Sequence, residues 1–391
     1  MSDKFDCIIV GAGMVGATAA LVLADLGLTV ALIDKNKPKS FSDEQSFDLR
    51  VSAISLSSEK LLEQINVWPQ ITKWRACPYK RLGVWEHSDA YTEFNAQEIE
   101  QTHLGHIVEN RLLQLSAWQQ IENNSGITLF CPEQVTAYQE LNQGVEVTLS
   151  EQVIRGKLLI AADGANSHIR KLAGIGITGW DYQQSAMLIN VTTDLPQQDI
   201  TWQQFFETGP VAMLPLGGNN ASLVWYQKPN EIQRLSALTN EQLTQEVVNN
   251  FPERLGKVKV VDKASFGLTR RHANQYVKGN VVLLGDAAHT INPLAGQGVN
   301  LGFKDVRALQ IAIATAMGDG KVWHNNETLK AYEKARRADN LMMMSGMDIL
   351  YKAFSHPSIV TKGLRNLAIF TSGKIPLLKK KALSYACGLS G

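Results

Sequence analysis

At 391 residues the chain is long enough for two to three structural units of about 150 residues each, and 45% apolar against 19% charged side chains supports ordinary buried cores. That composition excludes a disordered tail or a fibre, and 38 basic against 37 acidic side chains leave no overall field to draw nucleic acid, which argues against a DNA or RNA binder. The balance is uneven along the chain: residues 349–391 carry seven basic side chains and no acid, leaving 31 basic against 37 acidic, a net −6, on residues 1–348. Cys7, Cys77, Cys131 and Cys387 lack CxxC or any ligand-like spacing, so neither a zinc centre nor a disulfide framework is read from them.

From the amino terminus, residues 5–10 (FDCIIV) read as an apolar strand, residues 11–16 (GAGMVG) as GxGxxG, residues 17–26 as a helix and residues 29–33 (TVALI) as a second strand. Residues 7–24 hold no charge, but Asp3 and Asp6 precede them and the glycines interrupt them, so they read as a βαβ unit and not as a leader. Gly11 permits a tight turn, Gly13 lets the backbone approach a pyrophosphate, and Gly16 allows the helix to pack close to the strand. Asp34, 23 residues after Gly11, stands where a carboxylate can accept from unphosphorylated ribose hydroxyls, as in FAD or NAD.

Two further strand-to-loop transitions follow. Residues 158–170 (LLIAADGANSHIR) end a strand in Asp163-Gly164 before a helix over 168–173. Residues 279–302 (GNVVLLGDAAHTINPLAGQGVNLG) end another in Gly285-Asp286 and open a further helix through a proline and glycine loop. In that loop Pro293, Gly296, Gly298, Val299 and Asn300 offer small residues and a helix amino terminus, where backbone N–H groups stabilise an anion. A second GxGxxG, residues 174–179 (GIGITG), follows a helix instead of a strand and reads as a helix-ending turn.

In this order the three motifs resemble the fingerprints of the FAD-dependent aromatic hydroxylases, the p-hydroxybenzoate hydroxylase-like single-component flavoprotein monooxygenases. The resemblance implies FAD as cofactor, with Asp286 on the ribityl chain, Asp163 and Gly164 beside the pyrophosphate and the nicotinamide path, Gly285 at the turn, and Arg50 in DLRVSAIS near the flavin and its diphosphate. It implies an FAD-binding Rossmann-like α/β domain over residues 1–75, 105–180 and 265–345, interleaved with a β-sheet substrate domain over 76–104 and 181–264, and a basic C-terminal helical segment over 346–391. It also implies oxygen transfer to an electron-rich ring from a flavin C4a-hydroperoxide, with NAD(P)H or a protein electron donor as the reductant.

Strands read at 145–149, 185–191, 211–216 and 221–226 supply the middle sheet, the last three of them over the flavin. The stretches TWQQF (201–205), ASLVWY (221–226) and LTRRHA (268–273), with the last motif, resemble more narrowly the ubiquinone-biosynthesis hydroxylases, and in particular the branch acting on the demethoxyubiquinol ring. This implies a polyprenyl quinol and molecular oxygen as substrates and a place in a ubiquinone-biosynthesis protein complex. The alternatives are a hydroxylase of an earlier polyprenylphenol, an FAD-dependent prenyl reductase, and a flavin-binding scaffold without turnover.

His272 and His289 are the two candidates for a base on a phenolic ring, with a hydrogen-bonding loop role as the alternative. Arg270 and Arg271 either orient an oxygenated ring or pair with carboxylates. Residues 376–389 (PLLKKKALSYACGL) form an apolar and basic helix suited to a membrane surface, or a solvated basic face. With no spanning stretch left, the expectation is a cytoplasmic protein, peripheral at the inner face of the membrane.

Overall fold

The computed structural model describes residues 4–87, 89, 91–291, 298–355 and 376–389. The chain opens with β1 (Lys4–Val10), α1 (Met14–Asp25) and β2 (Val30–Ile33). After a loop come β3 (Val51–Ser55), α2 (Leu56–Gln64), α3 (Trp68–Trp74), β4 (Cys77–Tyr79), β5 (Arg81–Trp85), β6 (Thr92–Asn95), β7 (Gly105–Glu109), α4 (Asn110–Glu122) and β8 (Ile127–Phe130). The middle holds β9 (Ala137–Leu141), β10 (Gly144–Thr148), β11 (Val153–Ala161), α5 (His168–Leu172), β12 (Ile177–Thr193), β13 (Ile200–Gln204), β14 (Val211–Pro215) and β15 (Asn220–Gln227). Then follow α6 (Pro229–Ala237), α7 (Asn240–Asn250), β16 (Val258–Ala273), β17 (Val277–Lys278), β18 (Val281–Leu283), β19 (His289–Thr290), α8 (Gly298–Gly318), α9 (Asn326–Ser355) and α10 (Pro376–Ala386).

The first sheet has the order β17-β18-β11-β1-β2-β8, and its neighbours from β18 to β8 run parallel. β2, β18 and residues 7–10 of β1 read as continuous apolar runs because parallel strands are covered on both faces. α1 follows the same logic: it is uncharged until Asp25, and residues Gly16 to Leu23 are all buried, between the sheet and helices α4 and α8. Parallel order turns the carboxyl ends of β1, β2, β11 and β18 to one edge, which gathers all three motifs and Asp34 there.

The second sheet, β19-β16-β12-β15-β14-β13-β5-β6, is almost wholly antiparallel, with β5 and β13 parallel. Met187, Ile189 and Val191 of β12 share a core with Trp202, Leu223, Trp225 and the inward residues of α6 and α7, so these helices close one face. Alternation sends Asn190 the other way, where its Nδ2 donates to the Phe47 carbonyl at 2.8 Å and ties the sheet to the first unit. β19 pairs with β16 at His272 opposite His289, so the last motif is itself hung on this sheet.

The fold is the expected α/β arrangement, with these two sheets interleaved along the chain and a third, small sheet in the order β3-β7-β4. β12 spans 17 residues and β16 spans 16, so the domain boundaries expected at 180 and 265 fall inside continuous strands. The stretch 174–179 is a turn as expected, but Ile177 onward already belongs to β12. Among the described residues no helix is long and apolar enough to cross a membrane.

Candidate active site

At the carboxyl end of β1, Gly11 has φ +98° and an added Cβ would lie 2.4 Å from the Ala162 carbonyl oxygen; at Gly16 it would lie 1.8 Å from the Gly11 oxygen. These two glycines are fixed by close packing of turn, helix and β11. Gly13 differs, because a Cβ there meets nothing within 4 Å: its face is turned to open space at the start of α1. The peptide between them is held rigidly. Ala12 N–H donates to Asp34 Oδ2 at 2.6 Å, and the Ala12 carbonyl accepts from Gln114 Nε2 at 2.9 Å and Trp118 Nε1 at 2.8 Å. Asp34, at the end of β2, keeps spare lone pairs for hydroxyl donors beside the glycine turn.

Asp163, at the end of β11, caps α5 by accepting from His168 N–H at 2.7 Å and Ile169 N–H at 3.2 Å through Oδ2. Its other oxygen, Oδ1, is shielded and finds no hydrogen-bond partner among the described residues. Gly164 follows at φ +81°. Arg170, which the sequence reading passed over, is buried and donates to the Ala165 carbonyl at 2.9 Å and the Ala287 carbonyl at 2.7 Å. It thereby locks the second motif to the third.

In the third motif Asp286 is exposed, yet crowding by protein pushes its carboxyl above the usual range, with His289 and Arg50 pulling the other way. Arg50 is exposed and acts electrostatically on Asp286. Gly285, at φ +55°, receives support from below: its N–H donates to Asp305 Oδ2 at 3.0 Å.

Asp305 is the hub of a buried network that the sequence did not reveal. It is fully buried and accepts from His289 Nε2 at 2.6 Å, Arg336 Nε at 2.8 Å and Asn340 Nδ2 at 3.1 Å. Burial alone would raise its pKa, but His289 and Arg336 outweigh that and hold the carboxyl below the usual range. Asn340 also donates to the Tyr276 hydroxyl at 3.2 Å, which lies 3.0 Å from His272 Nε2. His272 is buried and its pKa is pushed down to about 4, first by burial and then by Arg337, His289 and Arg270. Both candidate histidines thus lie in one polar cluster behind the motif.

At the amino terminus of α8, Gly298 and Val299 are half-buried, and the Asn300 side chain is buried as a staple. It accepts from Ser55 N–H at 3.0 Å and Ser58 Oγ at 2.8 Å and donates to the Ala53 carbonyl at 2.7 Å, joining α8 to β3 and α2. Pro293 and Gly296 lie outside the described residues. Arg270 pairs with Asp348 at 3.0 Å and stacks 4.2 Å over Trp180, while Arg271 donates to Asn166 Oδ1 at 2.8 Å.

The edge fits a dinucleotide of the FAD kind: open space over Gly13, an unpartnered Asp163 oxygen, and the exposed acid Asp286 all stand along it. Residues 4–344 match the family described as an FAD binding domain. The chain belongs to that family. It is 45% identical to the 3-demethoxyubiquinol 3-hydroxylase of Escherichia coli (strain K12), over 97% of this chain and 98% of that protein. It is 34% identical to the ubiquinone hydroxylase UbiL of Rhodospirillum rubrum, over 99% and 90% of the two chains. The crystal structure of p-nitrophenol 4-monooxygenase PnpA from Pseudomonas putida DLL-E4 superposes with a TM-score of 0.80 at 18% identity, covering 100% of this chain and 99% of that one, and shows the shared fold.

Proposed function

We propose that the chain is an FAD-dependent monooxygenase that hydroxylates the ring of a polyprenyl demethoxyubiquinol in ubiquinone biosynthesis. The observation that carries this reading is the 45% identity, from end to end, to a 3-demethoxyubiquinol 3-hydroxylase, in a chain whose three motifs meet at one sheet edge. Bound FAD supplies the redox chemistry, taking up two electrons and activating dioxygen toward the ring.

The protein's part is binding, orientation and exclusion of water. The turn at Gly11, Gly13 and Gly16 and the start of α1 receive the pyrophosphate, and Asp34 accepts from the ribose. Asp286 accepts from the ribityl hydroxyls, Arg50 offsets the diphosphate charge, and Asp163 borders the same path through its unpartnered oxygen. Backbone N–H groups at Gly298, Val299 and Asn300, with the positive end of α8, stabilise negative charge at the flavin's pyrimidine edge. His272 and His289 act here as positioning residues, because the Nε2 of His272 already serves Tyr276 and that of His289 serves Asp305.

The face of the second sheet opposite α6 and α7 receives the quinol ring, and a long prenyl tail places the enzyme at the inner membrane surface, in contact with its pathway partners. NAD(P)H or a protein donor provides the electrons. The test is turnover of FAD-loaded protein on a demethoxyubiquinol under 18O2: one labelled oxygen on the ring supports the proposal. Oxygen-independent saturation of the prenyl chain would establish a reductase instead, and label only on an earlier polyprenylphenol would move the ring position.

A further inference from the structure

Away from the nucleotide edge, three side chains from separate elements converge. Glu59 of α2 is buried, with Oε2 2.8 Å from His103 Nε2 and Oε1 2.6 Å from His106 Nδ1. The rings of His103 and His106 stand 4.5 Å apart. Gly105 makes the approach possible: a Cβ there would lie 2.2 Å from the Ile54 carbonyl oxygen, so only glycine lets β7 close on β3 and bring His106 over Glu59. The edge of Trp68, 5.1 Å away, fixes the His106 ring. Among the described residues the ion pairs of Glu59 are these two imidazoles alone, without a lysine or arginine.

The geometry points to a divalent-metal site of the zinc class at Glu59, His103 and His106. Two imidazoles and one carboxylate are a donor set for zinc, which sits about 2.0–2.2 Å from each. One ligand atom from each residue lies within 4.8 Å of the others, and donors around a tetrahedral ion of this kind stand about 3.4 Å apart, so side-chain shifts of about an ångström complete the site. The ion takes the place of the protons now bridging the carboxylate and the rings. No proton need be lost: on His103 it moves to Nδ1, where Thr102 Oγ1, 2.8 Å away, accepts it and orients the ring. On His106 it moves to Nε2.

The side chains of His103 and His106 are 22% and 12% exposed, enough for entry of an ion and for water at its open position. The site lies beneath the carboxyl-terminal helix, whose Leu383 packs with Leu56 and Leu104. Its role is structural: it ties α2 to β7, and α2 in turn holds Asn300 at the start of α8 through Ser58.

The experiment uses FAD-loaded full-length protein, stripped with a chelator, desalted and titrated with zinc chloride in a calorimeter at neutral pH, beside His103→Asn and Glu59→Gln. Retained flavin absorbance certifies that each variant is folded, and should one variant fail this check the other carries the comparison. Wild type is expected to bind one more zinc per chain than His103→Asn, with affinity falling at least tenfold in Glu59→Gln, and to gain thermal stability on loading where the variants do not. Equal stoichiometry and affinity in all three proteins would overturn the assignment and leave a hydrogen-bonded cluster only.

Discussion

His289 Nε2 and Asp305 Oδ2 lie 2.6 Å apart in a wholly buried pair, and the same carboxylate oxygen holds the Gly285 N–H at 3.0 Å. The turn that leaves Asp286 exposed is therefore set by an acid on α8, 20 residues beyond Gly285. Breaking a buried pair by removing one charge costs about 3–5 kcal/mol, because the partner is left uncompensated. Asp305→Asn is expected to lose stability of that order in urea unfolding, since buried Arg336 loses its counter-charge, and to bind FAD more weakly.

Asp286 differs, being exposed, with its carboxyl pushed above the usual range by its crowded surroundings. Asp286→Ala should leave the apoprotein within about 0.5 kcal/mol of wild type while impairing FAD retention and hydroxylation together. Circular dichroism and flavin absorbance on the same sample check both halves.

The glycine turn separates a ligand's requirement from the fold's. Gly13→Ala adds a methyl group to open space, so the apoprotein melts like wild type, whereas in the proposed FAD placement the methyl meets the pyrophosphate, and the FAD dissociation constant is expected to rise tenfold or more. Gly16→Ala drives its methyl to within 1.8 Å of the Gly11 oxygen and is expected to cost about 1–3 kcal/mol or more even without FAD. Thermal melts of both apoproteins, beside FAD titrations, test the contrast.

His272 gives the protein a pH signature. Its folded-state pKa of about 4 lies below the unfolded value near 6.5, so the unfolded chain binds the extra proton between these limits and stability falls as pH drops through that window. The full effect is on the order of 3 kcal/mol. Asp305, also depressed, adds its loss only below its ordinary carboxylate range. Unfolding free energies from pH 7 to 4 should decline in wild type and decline less in His272→Asn.

The parts legible in the sequence are those written in consecutive residues. GAGMVG after FDCIIV, Asp163-Gly164 after LLIAA and Gly285-Asp286 after VVLL each place strand, turn and helix within a dozen residues, and parallel order then forces them to one edge. Strands 211–216 and 221–226 were readable from their apolar runs, whereas the first half of β12 carries ITGWDYQQ, largely exposed, and is a strand because β16 pairs with it. Arg170 looked like one more helical residue, yet it works on a carbonyl 117 positions away. The Asp305–Arg336 pair joins two helices across 31 positions, and Glu59 meets His103 across 44, so no local period marks either contact. The basic carboxyl-terminal helix was visible as KKK, but not that Lys379 and Lys380 pair with Glu98 and Glu100 at 2.7 and 3.1 Å.

Hydroxylation of a demethoxyubiquinol ring is read out in the prenylated-quinone profile, by mass spectrometry, of host cells lacking this gene with and without a plasmid copy. Accumulation of demethoxyubiquinone in the deletion, reversed by the plasmid and not by its Asp286→Ala version, is the predicted result. An unchanged quinone profile in the deletion strain would contradict it.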